Sequence, residues 1–288
     1  AGSGARVMTS SSSPGISLMA EGISYIIGAQ LPCVLVNMVR GGPGLGNIAP
    51  AQSDYNQAVK GTTHGDVHLI VLAPSSIQEA VDLMYDAFDL ADLYRNPVLV
   101  LGDGMIGQMM EPVEFKEATN KKLPPKTWAA TGTRNSPDGK RRIINSLFME
   151  PEDLESLNLA LQKKYKEVAE KEIRYELYKM DSKLDVIFTA YGTTSRIVKY
   201  VIKKLEEEGI HAGLIRPITL WPFPQQIIGE YASNSSAKAF VSVEMSSGQM
   251  VEDVRLSVNG KKPVYFYGRT GGIVPEPKEI ISYVKSIL

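Results

Sequence analysis

Residues 33–39, Cys-Val-Leu-Val-Asn-Met-Val, are too uniformly apolar for a strand with one wet face and too few for a core helix. Further short apolar runs lie at 7–9, 69–72 and 98–101, with helix-like stretches at 16–29 and 75–94 between them. Strands apolar on both faces need cover on both faces, and intervening helices supply it, so the pattern predicts a parallel α/β sheet. A second alternating block begins at Asp185: strand 186–190, helix 194–208, strand 212–215, helix 224–231, strands 239–243 and 264–267, and a last helix from Pro277. The chain reads as two α/β domains, alike in architecture more than in sequence.

Between the blocks, 123–142 carries Pro124, Pro125, Pro137, two glycines and several polar residues, and reads as an extended excursion. Residues 151–180 hold no proline or glycine after the first position, and Leu154, Leu157, Leu161, Tyr165, Val168 and Tyr175 mark one side of a long helix. Such a helix either connects across both domains or meets another subunit. In the 75–94 stretch, Ser75 and Ser76 are candidate caps with Glu79 as an early acid, and Ile77, Val81, Met84 and Phe88 repeat as a core stripe. The expected division is a first domain at 1–122, a linker with connector helix at 123–182, and a second domain at 183–288.

Composition narrows the function. With 31 basic and 32 acidic residues the net charge is −1, which leaves no electrostatic footprint for nucleic acid or an anionic membrane. The single cysteine, Cys33, reads as a packed strand residue and cannot supply the four ligands of an iron–sulfur cluster. His64, His68 and His211 lack zinc-type spacing, so no metal is assigned. No run of about eighteen apolar residues and no signal peptide is present, and a cytoplasmic location is expected. The chain opens at Ala1 rather than Met and reads as beginning partway through a fold.

Four glycine-bearing loops follow strands, where α/β proteins bind ligands. Arg40 precedes Gly41-Gly42-Pro43-Gly44-Leu45-Gly46, a loop whose backbone can approach a ligand closely, with a cation at its mouth; a turn beside a solvated arginine is the alternative. Ser10-Ser11-Ser12-Ser13-Pro14-Gly15 offers hydroxyls and N–H groups on the same sheet edge, either as ligand contacts or as helix caps. Gly102-Asp103-Gly104-Met105-Ile106-Gly107 matches G-x-G-x-x-G, yet Pro112 leaves no room for the helix a dinucleotide requires. As a thiamine magnesium motif it fails too, since Asn120 is too near and Asn135 too far. A Walker loop is absent. Gly192-Thr193-Thr194-Ser195 resembles a phosphate-cradling turn, with a plain helix amino terminus as the alternative.

Residues 7–19, Leu31-Pro32, Arg40-Gly41-Gly42-Pro43-Gly44, Ala73-Pro74-Ser75-Ser76, Gln78-Glu79-Ala80, Gly102-Asp103-Gly104, Trp128-Ala129 and the run Arg216-Pro217-Ile218-Thr219-Leu220-Trp221-Pro222-Phe223-Pro224 together resemble the α subunit of 2-oxoacid:ferredoxin oxidoreductases, of the 2-oxoisovalerate type. The resemblance covers essentially the whole chain. It implies a pyrimidine-type thiamine-diphosphate-binding domain, incomplete at its amino end, followed by a transketolase C-terminal-like domain.

It further implies oxidative decarboxylation of a branched-chain 2-oxoacid to acyl-CoA, with coenzyme A as acyl acceptor and ferredoxin as electron acceptor. Arg40, Gly41 and Gly42 would bind the substrate, and Ser11, Ser12, Ser13, Pro14 and Gly15 would face the cofactor. The glutamate that activates the aminopyrimidine is expected before Ala1, Glu21 being out of place for that role. A β subunit would hold the diphosphate and Mg2+, iron–sulfur clusters would sit in partner subunits alongside γ and ferredoxin-like δ chains, and the chain would be inactive alone in a hetero-oligomer. A noncatalytic assembly scaffold is the competing reading.

Overall fold

A computed structural model describes residues 1–117, 122–136, 138–180 and 183–288. Asn120, Pro137 and residue 182, which closes the expected linker, lie outside the described residues. From the amino end come β1 (Met8–Ser11), α1 (Pro14–Leu18), α2 (Ala20–Gly28), β2 (Cys33–Val39), α3 (Tyr55–Lys60), β3 (Ile70–Leu72), α4 (Ile77–Tyr94) and β4 (Pro97–Asp103). Helix α5 (Pro151–Lys171) then leads to β5 (Tyr175–Tyr178), β6 (Val186–Thr189), α6 (Gly192–Glu207), β7 (Ala212–Pro217), β8 (Thr219–Trp221), α7 (Gln225–Asn234), β9 (Ala239–Glu244), α8 (Met250–Val258), β10 (Val264–Gly268) and α9 (Pro277–Ile287). No helix among the described residues is long and apolar enough to cross a membrane.

The expected α/β class holds, with two five-stranded sheets ordered β1-β2-β4-β3-β8 and β10-β9-β6-β7-β5. In each, four strands are parallel and the last is antiparallel. Those antiparallel edges, together with helices α3 and α8, are the elements missing from the sequence reading. The long helix ends at Lys171 rather than near 180, and Tyr175 lies on β5, antiparallel to β7. Strand β8, only three residues long, crosses from the second half to close the first sheet against β3.

Among its described residues the excursion has no regular element beyond a 3-10 turn at Thr133–Asn135. Ser76 caps α4 as expected, accepting the Glu79 N–H. The core stripe of α4 is rotated from the expected one: Leu83, Ala87, Leu90, Ala91 and Tyr94 are buried, while Met84 and Phe88 pack at its margin. Small Ala87 and Ala91 let the helix approach the sheet closely, which bulkier Met84 and Phe88 would prevent.

A single apolar cluster runs through both halves, joining Ile23, Leu35 and Leu99 to Ile187, Phe240 and Met250. On α5, Leu161 and Tyr165 enter it and Val168 enters the core beneath α4. Buried ions reinforce the junction. The Arg216 guanidinium on β7 donates to both Glu79 carboxylate oxygens at 2.7 and 2.8 Å and to Glu176 at 2.7 Å. Burial alone would raise the Glu79 carboxyl, but donors from Arg216 and Ser75 outweigh it and hold the group below its ordinary value.

Replacing Arg216 by Ala strands Glu79 without its cation and is expected to lower stability by about 3–5 kcal/mol, read as a fall in urea midpoint. A lowered carboxyl stabilises the fold above its unfolded pKa, near 4.5, and that contribution is lost as pH falls through the folded value. The variant is therefore expected to lose less stability than the wild type on acidification below pH 4.5.

Candidate functional site

Strand register builds the site. Ser11 pairs with Asn37 across β1 and β2, and Val39 pairs with Asp103 across β2 and β4, so the loops after all three strands emerge on one carboxyl edge. Beyond β1 the chain doubles back tightly: a Cβ on Gly15 would fall 1.9 Å from Ser11 Oγ. Buried Ser13 makes no side-chain cap bond to α1; its Oγ instead accepts the Arg40 backbone N–H at 3.1 Å. The serine loop and Arg40 thus meet directly, with Ser11, Ser12, Pro14 and Gly15 half-buried around them.

Past Arg40 the glycine loop closes on itself. The Gly41 N–H donates to Ala49 O at 3.0 Å, and the Asn47 N–H donates to Gly41 O at 2.9 Å. Gly46 has φ +55° and a Cβ there would lie 1.6 Å from Gly41 O, so no side chain fits. Leu45 and Ile48 stand 83% and 78% exposed on this loop. Its far side is held by the second half, where Gly271 O accepts from Asn47 Nδ2 at 2.9 Å.

Among the described residues the Arg40 side chain has no hydrogen-bond or ion-pair partner, although its Nε is buried. That contrasts with a cavity of about 730 Å³ at the amino edge of the first sheet, lined by Lys60, His68, Trp221 and Asp253. There the cation is satisfied, since Lys60 pairs with Asp253 at 2.9 Å. The His68 imidazole, stacked on Trp221 at 4.4 Å, is held below its ordinary pKa by burial. An unpaired guanidinium beside a backbone loop is the better anion site, because a fork of donors with no internal acceptor matches a carboxylate.

The other glycine motifs serve the seam between the halves. Asp103 Oδ1 accepts the Met105 and Ile106 N–H groups at 3.0 and 3.2 Å and the Thr193 hydroxyl at 2.9 Å, while Oδ2 accepts the Thr193 N–H at 3.3 Å. The Gly192–Ser195 turn therefore receives an internal carboxylate, as a helix amino terminus favours. Burial pushes the Asp103 carboxyl above its ordinary value, against those hydrogen bonds. Cys33 is buried, and burial raises its thiol.

Two residues of the edge escaped the sequence reading. Gln52 bridges the halves: its Nε2 donates to Tyr191 O at 2.9 Å, and its Oε1 accepts from Met245 N at 3.0 Å and from the Thr194 hydroxyl at 3.2 Å. Asn37, a lone polar side chain in an otherwise apolar run, was visible as an anomaly; Gln52 carried no signal in its neighbours.

Residues 1–177 match the family model described as pyruvate flavodoxin/ferredoxin oxidoreductase, thiamine diphosphate-binding, and residues 184–280 match that of pyruvate:ferredoxin oxidoreductase core domain II. The chain belongs to the 2-oxoacid:ferredoxin oxidoreductase family. It is 46% identical to the ketoisovalerate oxidoreductase subunit VorB of Methanothermobacter thermautotrophicus, over all of this chain and 80% of that protein. It is 34% identical to the 2-oxoglutarate synthase subunit KorA of the same organism, over 98% of this chain and 80% of that one. In fold it follows the 2-oxoglutarate:ferredoxin oxidoreductase of Magnetococcus marinus, solved with 2-oxoglutarate, coenzyme A and succinyl-CoA bound. That match has a TM-score of 0.79 at 22% identity and covers 99% of this chain but 53% of the other. Residues 1–177 of the chain are thus the family's thiamine-diphosphate-binding domain.

Replacing Gln52 by Ala leaves the Met245 N–H without its side-chain acceptor and removes the bond to Tyr191 O. The variant is expected to lose about 2–3 kcal/mol, measured as a lower midpoint in thermal unfolding, and Gln52→Glu at least as much, because it buries a carboxylate against Tyr191 O.

Proposed function

We propose that this chain binds the carboxylate of a branched-chain 2-oxoacid at Arg40 and presents it to thiamine diphosphate. The observation that supports the reading is the Arg40 guanidinium, unpartnered among the described residues and anchored by its backbone to the serine loop. Thiamine diphosphate, when bound, supplies the electron sink that lets a 2-oxoacid release carbon dioxide. Ser11, Ser12, Ser13, Pro14 and Gly15 face the cofactor side of the edge, and Gly41 and Gly42 leave room for the substrate backbone to approach. Exposed Leu45 and Ile48 on the same loop suit an apolar acyl chain better than a second carboxylate.

In the proposed reaction, 2-oxoacid, coenzyme A and two oxidised ferredoxins give acyl-CoA, carbon dioxide, two reduced ferredoxins and a proton. Much of that machinery is assigned to other chains. Among the described residues no group of His, Cys, Asp and Glu could hold a metal ion, so Mg2+ and the diphosphate are assigned to a β subunit. Iron–sulfur clusters are assigned to γ and ferredoxin-like δ chains, Cys33 being one buried thiol. The subunit is proposed to be inactive alone.

Coenzyme-A-dependent viologen reduction by the reconstituted complex tests this. Branched 2-oxoacids are expected to give higher kcat/KM than pyruvate or 2-oxoglutarate. Arg40→Ala is expected to raise the 2-oxoacid KM by roughly 30-fold or more, equivalent to losing about 2–4 kcal/mol of charge-assisted bonding. Arg40→Lys restores little, because an ammonium lacks the fork. No thiamine-dependent rate with any 2-oxoacid would leave the scaffold reading instead.

A further inference from the structure

We propose that Asn37 is a positioning residue that fixes the anion-binding arginine through Ser13. Resting on the reading of Arg40 as the carboxylate clamp, the inference concerns what holds that clamp still. Asn37 lies within β2, only 1% exposed, where a polar side chain is costly unless both ends of its amide are satisfied. Both are: Oδ1 accepts the Ser13 N–H at 2.9 Å, and Nδ2 donates to Asp54 Oδ2 at 2.9 Å. Opposite demands at the two ends leave the amide one orientation.

The Ser13 backbone is at φ 35°, ψ −85°, a positive φ that a residue with a Cβ holds only when its surroundings impose it. Asn37 Oδ1 imposes it by capturing the Ser13 N–H. That conformation turns Ser13 Oγ toward β2, where it accepts the Arg40 N–H at 3.1 Å. Arg40 is the first residue after β2, so a fixed N–H there sets where its side chain starts. The relay is anchored at its far end as well: Asp54 precedes α3, whose Tyr55 hydroxyl donates to Asp253 Oδ2 at 2.6 Å in the second half. A purely structural asparagine would satisfy one buried N–H and leave substrate affinity alone. Here the satisfied N–H belongs to the residue that holds the proposed clamp.

The test is a double-mutant cycle in the assembled complex. Asn37→Leu removes both amide bonds at similar volume, and Ser13→Ala removes only the acceptor for Arg40. Each is expected to raise the 2-oxoacid KM about tenfold by displacing the clamp, with KM for coenzyme A unchanged. Neither is expected to raise it further in an Arg40→Ala background, because the residues act in series. If Arg40→Ala raises KM but both variants leave it unchanged, or if their effects add in full to that of Arg40→Ala, the positioning role is overturned. If Arg40→Ala itself leaves KM unchanged, the clamp reading fails and this proposal falls with it. Should Asn37→Leu not assemble, Ser13→Ala carries the same cycle alone.

Discussion

The carboxylate of Asp103 at the amino end of α6 is the contact on which the arrangement of the two halves depends. A buried carboxylate is expensive unless surrounded by donors, and here those donors come from its own loop and from the second half together. Neither half would satisfy the group alone. Gln52 and the Arg216–Glu79 pair repeat the principle. Polar bonds of this kind add little to net stability but penalise misdocking heavily, since a displaced half strands buried charge.

Against that background Arg40 stands out. Charges at the seam are matched, whereas this guanidinium, with its Nε buried, has no partner among the described residues. A fold that places a cation at a sheet edge, holds its backbone N–H with Ser13 and leaves its donors open has the form of a binding site. The carboxyl edge of a parallel sheet also collects loops from adjacent strands, so one short register determines which residues can act together.

Much of this architecture was legible because buried parallel strands write themselves as apolar runs. Run 33–39 became β2 with the same bounds, and 98–101 became the centre of a longer β4. Strands β5 and β8 did not, because each is an edge of three or four residues whose pairing partner lies far along the chain. The same distinction holds for the site. Arg40 and the serine loop announce themselves by composition, while Gln52 matters only because Tyr191 and Met245 arrive beside it.

The amino-acid sequence by itself determined the two-block α/β alternation, the family and the position of a cation after β2, since hydropathy period and loop composition are local properties. Tertiary structure alone decided that Gly102-Asp103-Gly104 and Gly192–Ser195 bind each other, and that β8 closes a sheet it does not follow. It also decided that Arg40 has no partner among the described residues while Arg216 does. Pairing and burial are relations between distant residues, set by register and packing, and no local pattern of residues encodes them.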